Sequence, residues 1–215
     1  MSGPRIHPTA SIETGVEIGD ETAIWDNVHV RGPTRIGRQC IVGEKSHISY
    51  GVEIGDRVKI NAMVYICTGV TIETGVMVAA GTIFTNDRFP RATTPDLTEL
   101  RDSGPDEHTR RSLVREGATI GARSVIGCDL EIGRFAMVGM GSVVTRSIPD
   151  FHLVVGQPAS TIGHVCRCGR PIHRFQENEF AKSLEIRCGA CGLEFAIREG
   201  EIFECSPAVL AKSYG

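Results

Sequence analysis

The chain is short of aromatic residues, with one Trp, three Tyr and eight Phe among 215 residues. A core built on large rings is therefore excluded. A basic excess is missing too. The formal net charge is −3, with 23% of residues charged, and nucleic-acid binders usually carry a basic surplus or stripe. No run approaches the roughly 18 apolar residues of a membrane helix. The polar stretch Met1–Ile12 lacks the apolar centre of a secretory signal. These absences predict a soluble, cytoplasmic protein with no nucleic-acid partner and no membrane span.

Glycine is what the chain has in excess. It supplies 25 residues, about 12%, against a usual share of about 7%. Cysteine is also plentiful, but unevenly spread. Cys40, Cys67 and Cys128 are scattered, whereas Cys166, Cys168, Cys188, Cys191 and Cys205 crowd the last quarter. In a cytosolic chain that crowding points to metal before disulfides.

A hexad repeat explains the composition. From Ile6, a step of six meets Ile12, Ile18, Ile24, Val30 and so on to Phe84, every stop but the last being Ile or Val. Four positions after each of the first thirteen stops stands a small or β-branched residue, such as Ala10, Val16, Thr22 or Val28. The register fails at Arg88 and resumes at Val114, running on through Val144. Fourteen hexads thus precede an insertion, residues 85–113, and six follow it. A period of six does not match the 3.6 of a helix. It matches a coil of short strands with a turn in every hexad, stacked at about 4.8 Å. Glycine often follows the stepping Ile or Val, as at Gly19, Gly37, Gly43 and Gly121. That position needs either an unusual backbone or no side chain, and glycine supplies such conformations at low steric cost. A narrow prism of aliphatic ladders leaves no space for large rings.

After Ala159 the hexads stop. Cys166-Arg167-Cys168-Gly169 and Cys188-Gly189-Ala190-Cys191-Gly192 form two tight pairs, each followed by glycine. Four thiolates in this arrangement read as a closed, structural Zn²⁺ site of zinc-ribbon type; four free or redox-active cysteines are the alternative. Alternation in Leu184–Arg187 and Phe195–Arg198 suits hairpin strands. The expected organisation is a repeat domain over 1–162 and a cysteine-rich module over 163–215.

With its twenty hexads, the chain resembles the hexapeptide-repeat acyltransferases. The resemblance implies an all-β fold, a left-handed parallel β-helix with three hexads per coil, assembled as a homotrimer. The insertion entry Phe84–Ala92 (FTNDRFPRA), with IWDNVHV at 24–30 and VVGQPAS at 154–160, resembles the branch that N-acetylates amino sugars linked to UDP or dTDP. On that resemblance acetyl-CoA is the donor. Asn86 would orient the substrate amine and Asp87 would be the reserve base, or else a turn carboxylate. Glu73, Arg91, Tyr65 and Asn61 would contact the sugar nucleotide; solvent-facing roles are the alternative. Gly139, Gly141, Ser142 and Arg146 would lie along coenzyme A, or simply serve the coil. Around Asn61 the pattern departs from the branch, because Ala62 and Met63 stand where amides are expected.

A histidine base is not required for an amine nucleophile. His29 and His47 lie three hexads apart, one full coil, and should stack; a surface or subunit-contact ladder accounts for them equally well. His108 falls in the insertion. O-acetylation of a sugar or small acceptor, which would need a base, and a non-enzymatic scaffold with a zinc module are the competing functions.

Overall fold

The computed structural model describes residues 2–102, 104, 109–175 and 183–205. Among them every regular element is a strand, and no helix is long and apolar enough to cross a membrane. Each hexad contributes a short strand. Arg5–Ile6, Ser11–Ile12 and Val16–Ile18 make the first coil. Each strand pairs in parallel with the one a coil later: Arg5 with Ala23, Ser11 with His29, Val16 with Thr34. The result is a β-solenoid with three faces. The first face runs from Arg5–Ile6 to Met137–Val138, the second from Ser11–Ile12 to Val143–Val144, and the third from Val16–Ile18 to Glu131–Ile132.

Within each strand the side chains alternate between core and surface. The stepping residue points in: Ile48, Ile66, Ile120 and Ile126 have no exposed surface. The residue before it points out, as with Tyr65 and Ile83. Full burial of one such aliphatic stabilises by about 1.5–3 kcal/mol. Hydroxyls four positions after the step are buried as well, and they are satisfied. Thr22 donates to the Gly37 carbonyl at 2.7 Å and Ser46 to that of Asn61 at 3.1 Å. These bonds tie one corner to the next coil without leaving a polar atom unmet.

Of the two reasons for glycine after the step, room is the one that holds. A Cβ on Gly43 would stand 2.6 Å from the Asn61 carbonyl carbon, and one on Gly121 would stand 2.5 Å from the Met140 nitrogen. The left-handed backbone lies two positions further on, at Gly51 and Gly69 but equally at Asn27, Lys45 and Arg57.

The insertion spans the corner between the second and third faces. It leaves after Ile83–Phe84 and returns at Ser112–Val114, so regular pairing resumes at Ser112, inside the expected 85–113. Across it the spacing of partners in sequence widens from three hexads to seven, Met77 meeting Thr119 and Ile83 meeting Val125, yet the ladder continues unbroken. His108 lies outside the described residues.

Beyond Ile148 the chain leaves the coil. His152–Gly156 pairs in parallel with Met137–Val138 and then antiparallel with Ala159–Val165, which pairs with Pro171–Arg174. Leu184–Arg187 and Glu194–Arg198 form the anticipated hairpin, and a third strand, Glu201–Glu204, adds to it. A second hydrophobic cluster gathers Phe151, Cys166, Cys188, Leu193, Phe195, Ile197 and Ile202, with Phe135 packed on it. Phe135 and Phe151 belong to the last turns of the prism, so the cysteine-rich part rests directly on the coil end.

Candidate functional site

The neck of the insertion is held at its root. Thr85 donates its backbone N–H to the Ile126 carbonyl at 3.0 Å, and Arg110 donates to the Asn86 carbonyl at 3.0 Å. The Asn86 side-chain amide donates to the Thr68 carbonyl at 3.4 Å. Asp87 turns inward on its own loop: its Oδ1 accepts from the Phe89 N–H at 2.7 Å. Arg88 pairs with Asp129 at 3.6 Å. Arg91 is exposed and donates to the Pro90 carbonyl at 2.9 Å. Beside this neck, along the same corner, runs an open groove of about 460 Å³ lined by Tyr50, Thr68, Thr71, Thr109 and Arg111. Arg31 lies over the Tyr50 ring at 4.9 Å.

Tyr65 stands on the outer side of the second face. His29, His47 and Tyr65 are register partners in three successive coils. Their rings meet as expected from the spacing: His29 edge-on to His47 at 5.0 Å, His47 stacked on Tyr65 at 5.2 Å. Burial, together with neighbouring His29 and Arg31, holds the His47 imidazole below its ordinary pKa. Glu13 was not singled out by the sequence, yet its Oε1 lies 3.0 Å from His29 Nε2. It also accepts from Arg31 Nε and the Gly32 N–H. The His29 hydrogen bond, with these donors, keeps the Glu13 carboxyl below the usual range. Arg31 stands three hexads on from Glu13, whereas the His29 contact, sixteen positions away, lies diagonally across the ladder and off the repeat.

The other sugar-site candidates are not gathered in one chain. Asn61 follows Lys59–Ile60 at the corner between the first and second faces, and Glu73 follows Val70–Ile72 at the corner between the third and first. Asn86 occupies the remaining corner. Glu73 is already engaged: it accepts from the Glu116 N–H at 2.9 Å and from Arg115 Nη1 at 3.3 Å.

The coenzyme candidates differ in what the coil asks of them. A Cβ at Gly139 would meet Val155 Cγ1 at 2.6 Å, so its bareness serves the next strand. Ser142 is buried, donates to the Gly139 carbonyl at 2.7 Å and accepts from the Gly156 N–H at 3.3 Å. Gly141 is left-handed, with open space where a side chain would be. Arg146 is exposed.

The four cysteines do converge. The sulfurs of Cys166, Cys168, Cys188 and Cys191 all lie within 4.8 Å of one another. Cys166 to Cys191 is 3.3 Å and Cys168 to Cys188 is 3.6 Å. A tetrahedron with Zn–S bonds of about 2.3 Å has sulfurs about 3.8 Å apart, so the set fits zinc. Gly169 and Gly192, each just past a pair, are left-handed at φ 81° and 79°. Burial pushes the Cys166 and Cys168 thiols up. At Cys188 burial acts the same way, but the N–H groups of Cys191 and Ala190 and the neighbouring thiols outweigh it, bringing the pKa to about 7.

One cluster escaped the sequence reading. His152, His164 and His173 face one another across the three strands that leave the coil. Their rings stack at 4.8 and 5.5 Å, and Phe175 closes on the last two.

A family profile for the bacterial transferase hexapeptide (six repeats) matches residues 15–50, and one for the hexapeptide repeat of succinyl-transferase matches 116–146. The dTDP-3-amino-3,6-dideoxy-alpha-D-galactopyranose 3-N-acetyltransferase of Aneurinibacillus thermoaerophilus is 51% identical over 69 residues, 32% of this chain and 35% of that protein. The bifunctional protein GlmU of Rubrobacter xylanophilus is 29% identical over 183 residues, covering 70% of this chain and 39% of its own. The chain thus spans little more than a third of the length of either. Among solved structures, AntD, an N-acyltransferase from Bacillus cereus in complex with dTDP and 3-hydroxybutyryl-CoA, superposes with a TM-score of 0.46 at 24% identity, over 77% of this chain and 81% of that one. Both profiles fall on the stacked hexads, one before the insertion and one after it.

Proposed function

We propose that the protein is an acetyl-CoA-dependent N-acetyltransferase acting on the amino group of a nucleotide-linked amino sugar. The observation that carries this reading is the 51% identity over 69 residues to a 3-N-acetyltransferase of a dTDP-linked amino sugar. The placement of Asn86 at the anchored neck of the insertion supports it.

The chemistry asks little of the protein beyond position. A neutral amine is already a nucleophile. Its nitrogen attacks the thioester carbonyl of acetyl-CoA, and the tetrahedral adduct passes its proton to the departing sulfur. The C–N bond forms, the C–S bond breaks, and free thiol leaves. Holding amine and thioester in line contributes up to about 7–11 kcal/mol. The hydrogen bond to Thr68 occupies one Asn86 amide N–H and leaves its carbonyl oxygen to accept from the amine. Asp87 is the reserve base, although its carboxylate already caps the Phe89 N–H. Backbone N–H groups at coil turns would stabilise the oxyanion.

The remaining assignments belong to the same proposal. Asn61, Glu73 and Asn86 stand at three different corners, so a site using more than one of them needs neighbouring prisms. A homotrimer meets that need, and exposed Ile41, Tyr65 and Ile83 on the first two faces suit burial between copies. Tyr65, Arg91 and Glu73 would then contact the sugar nucleotide, with coenzyme A along Gly139, Gly141, Ser142 and Arg146. The repeat domain is 1–162, and the module 163–215 holds structural zinc.

O-acetylation is the second reading, favoured by one observation: the Glu13–His29 pair is a carboxylate-oriented imidazole of the kind that deprotonates hydroxyls. One experiment separates the two. Acetyl-CoA is offered with UDP- and dTDP-linked 3-amino and 4-amino sugars and with their hydroxyl counterparts, and thiol release is followed. Turnover confined to amines supports the proposal; turnover confined to hydroxyl acceptors replaces it with the second reading.

A further inference from the structure

Arg167 lies between the two cysteines of the first pair, and its side chain reaches out of the knuckle. Its Nε and Nη2 both donate to Glu204 Oε2, at 3.0 and 2.7 Å. Its guanidinium carbon stands 4.5 Å from the centre of the Phe135 ring. Glu204 ends the last strand of the module; Phe135 sits in a turn of the prism. Arg167 therefore bridges the two bodies while its backbone neighbours on both sides are metal ligands.

The prism is shaped to receive it. The Phe135 ring occupies the space that a side chain at position 117 would fill, so Gly117 is the vacancy that admits the ring. Phe135 stacks on Phe151 at 5.5 Å, and Phe151 meets Phe195 of the module edge-on at 5.4 Å. A Cβ at Gly169, at the end of the knuckle, would meet the Met137 methyl at 3.5 Å. The knuckle thus bears on Phe135 and Met137, at the start of the strand Met137–Val138.

We infer that Arg167 is a positioning residue through which metal loading of the four cysteines braces the final coil of the prism. With the metal bound, the knuckle backbone is fixed, and the guanidinium is held in one place between Glu204 and the Phe135 ring. A cation is drawn to the ring face by its quadrupole, and a guanidinium on a carboxylate fixes direction as well as distance. Without the metal the knuckle keeps only its turn hydrogen bonds, Gly169 N–H to the Cys166 carbonyl and Cys166 N–H to that of Arg170, and so small a module has little core of its own to hold it. The braced strand leads directly into Gly139–Ser142. If coenzyme A binds there as proposed, metal loss also weakens its binding, but the brace itself is read without any substrate.

The test is amide hydrogen exchange on the full chain, with zinc content measured in each sample. The probes are the Phe135, Gly139 and Phe151 N–H groups, which donate to the Glu116, Val154 and Arg134 carbonyls. Chelation is expected to speed their exchange about tenfold or more, leaving amides of the early coils unchanged. Zinc-loaded Arg167→Leu and Phe135→Leu are expected to exchange at these positions like the chelated wild type. Phe135→Leu alters the prism rather than the knuckle, so it makes the comparison even where Arg167→Leu loses metal. Wild-type protection in zinc-loaded Phe135→Leu, or no response of the wild type to chelation, overturns the inference.

Discussion

Asn86 reaches back across the corner to donate its side-chain amide to the Thr68 carbonyl, 3.4 Å away in the preceding coil. The bond gives the amide a fixed sense: nitrogen to the protein, oxygen to whatever occupies the corner. Asn86→Ala is therefore expected to lose acetyl transfer by about 10²-fold or more, because a misplaced near-attack geometry costs that much. Asn86→Asp, which keeps an acceptor but loses the donor to Thr68, should fall in between. Thiol release from acetyl-CoA with an amino-sugar acceptor measures both. Full turnover in Asn86→Ala removes the assigned role.

The stacked histidines predict acid sensitivity at the joint. His164 has no exposed surface, and its Nε2 has no hydrogen-bond partner among the described residues. Burial, then the neighbouring His152 and His173, pull its pKa down to about 4. An unfolded histidine titrates near 6.5. Below that value the unfolded chain takes up a proton that the folded chain refuses, so stability falls as pH drops from about 6.5 towards 4. The loss reaches about 3 kcal/mol at most. Denaturant unfolding at pH 7.5 and pH 5 should show a smaller difference in His164→Phe than in wild type. Equal differences would clear His164.

The cysteine site predicts one zinc per chain. Cys188→Ser is expected to release it and to unfold the module, since apparent binding energies of about 10–16 kcal/mol hold such small domains together. The prism should survive, because its own hydrophobic cluster runs without the module from Ile24 to Val154. Elemental analysis gives the metal. Limited proteolysis should cut after residue 165 and spare the hexads; cleavage spread through the prism would contradict the separation of the two cores.

Two glycines of the later coils should respond differently to alanine. At Gly121 the new methyl would press on the Met140 backbone, which is fixed in the ladder. Gly121→Ala is expected to cost about 3 kcal/mol, the upper part of the overpacking range. Gly141 has open space around it but a left-handed backbone, so Gly141→Ala should cost only about 1–2 kcal/mol. Denaturant midpoints compare them, and the reverse ranking would refute the packing argument.

The coil was legible because its contacts repeat. Once the hexad is counted, each strand finds its partner three hexads on, and the His29–His47–Tyr65 stack follows from arithmetic. The convergence of the four cysteines was legible for a different reason, since cysteine pairs announce their chemistry at short range. What stayed hidden lies off the lattice. Arg167 meets Phe135 across the boundary between two architectures, and no period links their positions. His152, His164 and His173 come together only because three strands turn antiparallel where the coil ends. Glu13 finds His29 on a diagonal. The glycine positions were noticed for the right spacing, but only the next coil showed that they yield space rather than bend the chain.

The unbroken ladder on either side of the insertion has a consequence for how such proteins diversify. Met77 finds Thr119 and Ile83 finds Val125 as if the loop were absent. Loop-closure entropy grows slowly, by about 0.6 kcal/mol for each doubling of length. The segment at this corner is therefore an exchangeable cassette on a fixed chassis. Its length and sequence can drift without disturbing a single rung, so long as Thr85 and Ser112 still close the gap.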